Sequence, residues 1–283
     1  MRQDRFVKNM VIDSHQHFWN YDSVRDSWID DSMSIIRKNF LPKDLEPILN
    51  ENGVDGCIAV QADQSEIETQ FLINCARSNS FIKGVVGWID LTSDNIDNRL
   101  EHFSINPCFK GLRHIVQAEK KNYLLRKDVQ HGISKLKKYN LTFDLLIYPH
   151  QIMNAVELVK KFPDQTFILD HIAKPNISKP ISDEWKYGIK LLSENHNVSC
   201  KISGMVTETQ NFKFNNNDFI PFLDVIFNCF GTERIMFGSD WPVCLVAASY
   251  NQTIKIIHNY LENCSKKIID NIMGTNAIKI YNL

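Results

Sequence analysis

His15 and His17, spaced i and i+2 in Asp13-Ser14-His15-Gln16-His17-Phe18-Trp19, follow the apolar stretch Met10-Val11-Ile12, where a strand should be ending. In an extended backbone such side chains share one face. The pair can therefore grip one metal ion, or bracket one polarised substrate group, without the chain folding back. A lone His-x-His is weak evidence, because histidines also settle in cores and surfaces with local hydrogen bonds. Weight comes from a distant segment, Arg234-Ile235-Met236-Phe237-Gly238-Ser239-Asp240-Trp241-Pro242, which reads as an apolar strand delivering an aspartate to its C-terminal end.

The elements that would position these groups alternate along the chain. Strands are expected at 11–17, 57–62, 85–91, 111–115, 142–148, 166–171, 198–204 and 234–239, and amphipathic helices at 45–52, 67–78, 96–103, 129–139, 153–161, 184–195 and 220–229. Strands that are apolar nearly throughout, each separated by a helix-length segment, indicate parallel βαβ units rather than an antiparallel sheet. Eight of them predict an α/β fold closed as a (β/α)8, or TIM, barrel. No Gly/Ser or Pro-rich linker and no repeat splits the chain, so residues 1–283 are expected to form a single domain.

Composition narrows the function classes. At 283 residues and 43% hydrophobic content the chain can bury a large core. A formal net charge of −1 provides no global field for nucleic acid or an anionic membrane. Apolar runs such as 143–148 are far too short to span a bilayer. Met1-Arg2-Gln3-Asp4-Arg5 is followed by no apolar stretch of secretory length, which predicts a cytoplasmic protein. Seven cysteines without a CxxC pair fit a reducing compartment, where Cys acts as a small apolar residue.

Polar residues fall at the C-terminal ends of these strands, where barrels keep their chemistry. They are His15 and His17; Trp88 and Asp90; Arg113 and His114; Asp144 and Tyr148; Asp170, His171 and Lys174; Lys201 and Ser203; and Asp240 with Trp241. Structural roles compete with functional ones here. Asp13 is expected to bond a loop, Asp144 and Asp170 can satisfy buried donors, and Arg113-His114 can be a solvated pair. Lys201 is more telling, because an ammonium pointing into a barrel needs a carboxylate or anionic ligand beside it.

Six motifs carry a resemblance: Val11-Ile12-Asp13-Ser14-His15-Gln16-His17-Phe18-Trp19, Val85-Val86-Gly87-Trp88-Ile89-Asp90-Leu91, Lys110-Gly111-Leu112-Arg113-His114, Leu169-Asp170-His171-Ile172-Ala173-Lys174-Pro175, Cys200-Lys201-Ile202-Ser203-Gly204 and Met236-Phe237-Gly238-Ser239-Asp240-Trp241-Pro242. In this order and spacing they resemble the amidohydrolase superfamily, within it the sugar-lactonase branch typified by L-fuconolactonase and L-rhamnonolactonase-like enzymes. The resemblance covers about residue 11 to 283.

The resemblance implies an amidohydrolase-type barrel with His15, His17, His171 and Asp240 at the reaction centre. The metal-rich members bridge two metals with a residue of the fourth or fifth strand, whereas this chain has Arg113-His114 and Asp144-Leu145-Leu146-Ile147-Tyr148 there. That argues against a binuclear site. It leaves either one zinc ion held by His15, His17, His171 and Asp240, or no required metal. Opening a lactone needs a positioned water, a base and donors for the oxyanion. Asp240 is the expected base and the three histidines polarise the carbonyl. Arg113, His114, Lys174 and Lys201 are expected to contact substrate, and Trp88 and Trp241 to offer a flat wall to a sugar face. The implied partner is a small-molecule sugar lactone, taken by a monomer or a homo-oligomer, with no nucleic acid and no membrane. Competing readings are a metal-dependent decarboxylase of the same superfamily and a non-catalytic sugar-acid-binding barrel.

Overall fold

The computed structural model describes residues 9–283. The N-terminal segment read above for the absence of a leader lies outside the described residues. The strands are β1 (Ile12–Gln16), β2 (Gly56–Val60), β3 (Ile82–Gly87), β4 (Phe109–His114), β5 (Thr142–Leu145), β6 (Phe167–Leu169), β7 (Val198–Ile202) and β8 (Ile235–Phe237). They form one sheet in the order β1 to β8, each parallel to the next, which is the expected (β/α)8 barrel. Helices α1 (Pro42–Glu51), α2 (Glu66–Ser78), α3 (Ile96–Ser104), α4 (Lys127–Leu136), α5 (Ile152–Lys161), α6 (Asp183–Ser193), α7 (Ile220–Phe230) and α8 (Tyr250–Tyr260) lie between and after the strands, and α9 (Lys266–Asp270) and α10 (Asn276–Tyr281) complete the chain.

The barrel seam between β8 and β1 uses side chains as well as backbone. Asp240 N–H donates to the His15 carbonyl (2.8 Å) and His17 N–H to the Trp241 carbonyl (2.7 Å). Ser14 Oγ donates to the Phe237 carbonyl (2.6 Å), and Asp13 Oδ1 accepts from Ser239 N–H (2.9 Å). The two segments that carry the His-x-His and the distant aspartate are thus sewn directly to each other.

Most strands stop short of the expected C-terminal boundary. Residues such as Ile89, Leu146 and Ile147 continue the apolar run but lie in buried connections after the strand. An apolar run records burial, not hydrogen-bonding state, so its end does not mark the end of the ladder.

Two apolar layers hold the fold. The larger lies between barrel and helices and includes Trp185, Phe143 and Phe167. The smaller fills the barrel with Ile12, Ile58, Val60, Val86, Ile168 and Met236, against which α10 places Ala277 and Tyr281. Asn276 Nδ2 donates to the carbonyls of Thr232 and Ile235, both 2.8 Å, fixing α10 at the end where the strands begin. All seven cysteines are free. Among the described residues no helix is long and apolar enough to cross a membrane.

Candidate active site

Asp240 sits at the centre of a ring of imidazoles. Its Oδ1 lies 3.2 Å from His17 Nε2, 3.8 Å from His15 Nε2 and 3.9 Å from His171 Nε2. All four residues are buried. β1 supplies His15 and the backbone carbonyl pairing, and the turn after β8 presents Asp240 in left-handed backbone at φ +58°. After β6 four consecutive residues, His171, Ile172, Ala173 and Lys174, have φ between +49° and +61°. None is glycine, and left-handed backbone costs an L-residue roughly 1–2 kcal/mol. Such strain concentrates where the surrounding structure must hold a side chain in one place, and here it falls on two of the four central residues.

Proton positions follow from the donors and acceptors available. His17 Nδ1 stands 2.8 Å from the Val60 carbonyl, which can only accept. The hydrogen of a neutral His17 therefore sits on Nδ1, and its bare Nε2 faces a carboxylate oxygen. Two acceptors at 3.2 Å need a cation between them, either a proton or a metal ion. His171 Nδ1 pairs with Ser203 Oγ at 2.9 Å, which likewise leaves Nε2 turned toward Asp240. Burial, aided by Lys174 and Arg113, lowers His171 to about 4 against the pull of Asp240 and Asp170. Burial also pushes His15 well below its ordinary range, with Lys201 and His171 acting the same way and Asp170 opposing. Burial by itself would raise Asp240, but His171, His17 and His15 outweigh it and hold the carboxyl well below the usual range.

This donor set fits a divalent ion. His15, His171 and Asp240 each offer one ligand atom, all within 4.8 Å of one another. Tetrahedral zinc with bonds near 2.1 Å separates its ligands by about 3.4 Å, close to the spacings around Oδ1. One feature opposes a crowded metal site. Arg113 Nη1 approaches His15 Nε2 at 3.1 Å, and an arginine can only donate, so it occupies that lone pair.

The other expected contacts are placed differently. Arg113 is buried and largely committed: Nη1 also meets Asp170 Oδ2 (3.2 Å) and Nη2 donates to the Gln61 carbonyl, while Nε has no partner. His114 is held on both nitrogens, accepting from Trp88 Nε1 (3.1 Å) and meeting Glu119 Oε1 (3.0 Å), and its ring stacks on Tyr123 at 4.4 Å. With both nitrogens engaged, the expected substrate contact of His114 does not match its placement. Trp241 is only 1% exposed, packed edge-on against Phe40 and Phe18, so the sugar-facing wall expected of it is absent. Trp88 is partly exposed and can still serve. Lys201 is fully buried, and its Nζ lies 2.6 Å from Asp144 and 3.1 Å from Asp170. The carboxylate neighbour anticipated for it exists twice over, and its ammonium is not free for substrate. Lys174 stands at the rim, 2.5 Å from Glu208, and Glu208 and Asp240 together raise it despite burial.

Asp13 is structural as expected, accepting from Ser239 N–H, His15 N–H (3.1 Å) and Tyr250 O–H (3.1 Å). The sequence reading named no residue on β2 and none on the loop carrying Glu208. Gln61, at the end of β2, had a usable signal, since every other strand end but this one had been assigned a polar group. Glu208 had none, because its pairing with Lys174 crosses two loops.

The chain is similar to known proteins along nearly its whole length. The amidohydrolase family profile matches residues 12–283. The L-fucono-1,5-lactonase of Burkholderia multivorans is 31% identical over 263 residues, covering 89% of this chain and 88% of that protein. The L-fucono-1,5-lactonase of Burkholderia ambifaria is 28% identical over 281 residues, covering 96% and 95%. A crystal structure of a Burkholderia multivorans amidohydrolase with bound zinc superposes with a TM-score of 0.93 at 30% identity, covering 97% of this chain and 99% of that one. With a family profile running from β1 to the last residue, the chain belongs to the amidohydrolase family.

Proposed function

We propose that the protein is a hydrolase that opens a sugar-derived lactone, an aldonolactone such as L-fuconolactone, with water activated by Asp240. The observation that carries this reading is the Asp240 carboxylate ringed by three imidazole Nε2 atoms within 3.9 Å. Two relatives named L-fucono-1,5-lactonase support the substrate class. A cytoplasmic setting suits the seven free cysteines.

In this mechanism Asp240 Oδ1 takes a proton from water as its oxygen bonds the lactone carbonyl carbon. The carbonyl oxygen gains the negative charge, which the nearby cations Arg113 and Lys174, both felt by His171, help to offset. Collapse breaks the ring C–O bond, and the proton on Asp240 passes to the departing ring oxygen. The hydroxy acid then ionises and releases one proton. A carboxylate held this far below neutral pH is always ionised but weakly basic, so it suits an activated ester better than an amide. His15, His171 and Asp240, with His17 Nε2 3.2 Å from Asp240 Oδ1, would hold one divalent ion once Arg113 yields the His15 lone pair, and as a Lewis acid it would polarise the carbonyl; the zinc of the Burkholderia structure supports this. Lys174 and Glu208, a donor and an acceptor side by side at the rim, suit sugar hydroxyls.

A panel of aldonolactones followed by proton release, beside an aromatic acid followed by CO2 release, tests the reading. Lactone opening without decarboxylation is expected. CO2 release without lactone opening would replace it with the decarboxylase, and neither activity would favour a sugar-acid-binding barrel.

A further inference from the structure

Beneath the imidazole ring lies a buried charge network that ring opening does not itself consume. Lys201 Nζ stands 2.6 Å from Asp144 Oδ2, 3.1 Å from Asp170 Oδ1 and 3.2 Å from His15 Nδ1. Asp144 also accepts from the Tyr281 hydroxyl at 2.8 Å and from Thr142 Oγ1 at 3.1 Å, and the Lys201 ammonium lies 5.5 Å over the Tyr281 ring. Tyr281 belongs to α10, so a continuous set of contacts joins the C-terminal plug of the barrel to an imidazole of the site.

Donor counting gives this network a task. Arg113 and Lys201 can both only donate, and they stand 3.1 Å from His15 Nε2 and 3.2 Å from Nδ1; the buried Asp170 Oδ1, otherwise without a hydrogen-bond partner, lies beside Nδ1 alone and so places the ring hydrogen there, with Nε2 the acceptor. Asp170 Oδ1, 3.3 Å away, is the carboxylate that faces this N–H. Lys201 cannot bond Nδ1 in that form. It donates to Asp144 and pairs by charge with Asp170, and Asp144 with Tyr281 fixes where its ammonium stands. Packing does not call for such an arrangement, since buried ion pairs are often no more stabilising than apolar side chains of similar volume.

We propose that Lys201, Asp144 and Tyr281 form a positioning unit that holds Asp170 against His15 Nδ1 and so keeps the ring hydrogen there, leaving His15 Nε2 as the acceptor that meets Arg113 Nη1 at the reaction centre. The effect on turnover rests on the lactonase reading, whereas the effect on the His15 tautomer does not.

The test uses the full chain with 15N-labelled histidine, as wild type, Tyr281→Phe and Lys201→Met, with the His15 signals assigned by His15→Gln. Wild type is expected to show His15 protonated at Nδ1. In Tyr281→Phe both His15 nitrogen signals should move toward averaged values, and kcat should fall about tenfold with KM held within about twofold, the range for partners that orient a reacting group from behind. Lys201→Met should show the same change more strongly. Should that variant not fold, Tyr281→Phe, which removes one hydroxyl, decides alone. Should wild type open no lactone, the nitrogen signals decide alone. Native His15 signals in Tyr281→Phe, or a native kcat in an active enzyme, would overturn the proposal and leave the network as barrel packing.

Discussion

His17 Nε2 faces Asp240 Oδ1 at 3.2 Å, while His17 Nδ1 is anchored on the Val60 carbonyl. This pair needs a positive charge between its two lone pairs, and a proton or a single divalent ion supplies it. The flanking cations limit the site to one ion: Arg113 lies 3.1 Å from one nitrogen of His15 and Lys201 3.2 Å from the other. Protein purified without added zinc should contain no more than one tightly held divalent ion per chain. Elemental analysis measures this, and two ions per chain would contradict the reading.

Arg113 touches His15, Asp170 and Gln61 at once. Lysine keeps the charge but loses the planar fork. Arg113→Lys should therefore lower kcat by about tenfold or more while KM changes little, as expected for an interaction that shapes the reacting centre. A raised KM at native kcat would return Arg113 to simple substrate recognition.

Gly238 lies at the β8–β1 seam, where there is no room for a side chain. A Cβ there would stand 2.6 Å from His15 Cβ and 3.1 Å from Ser203 Cβ. Overpacking of this kind costs roughly 1–3 kcal/mol, and displacing His15 by a fraction of an ångström should reduce turnover by up to about 10²-fold. Gly238→Ala should show both a lower melting temperature and impaired kcat. Native activity would mean that His15 need not be so closely placed.

The six motifs held most of the site because strand ends in a parallel barrel converge, whatever the intervening sequence. His15, His17, His171 and Asp240 meet around one oxygen, and all eight strands are present in the expected order. Pairing partners were hidden. Nothing in Lys201 or His114 as residue types tells that the first is sealed between two aspartates and the second stacked on Tyr123. The C-terminal helices α8 to α10 were also missed, although Ser249 and Gln252 form a capping box. No strand follows β8 to mark them as connecting helices, so the alternation of elements singles out none of their residues, Tyr281 included.

Glu68, on α2, is an acid whose burial raises it to about 8 even though Asp63 and Ala62 N–H groups donate to it. The folded chain thus holds this proton more tightly than the unfolded chain, where a glutamate titrates near 4.3. Its contribution to stability is full below about pH 4 and is lost as pH rises through about 8. Glu68→Gln removes the titration and keeps an acceptor for both N–H groups. Its stability relative to wild type should increase between pH 5 and pH 8 by on the order of a few kcal/mol. Urea midpoints of both proteins across that range check the sign, and parallel curves would mean that Glu68 is already ionised in the fold.

The claim that Asp240 is the base is tested most directly by Asp240→Asn, which is nearly isosteric but cannot accept a proton. Proton release from L-fucono-1,5-lactone should be measured for wild type and variant under saturating substrate, with folding verified by circular dichroism and with the bound-metal content of both recorded. The account predicts a folded variant whose turnover is lower by about 10² or more. A folded Asp240→Asn enzyme turning over at near the wild-type rate would contradict it.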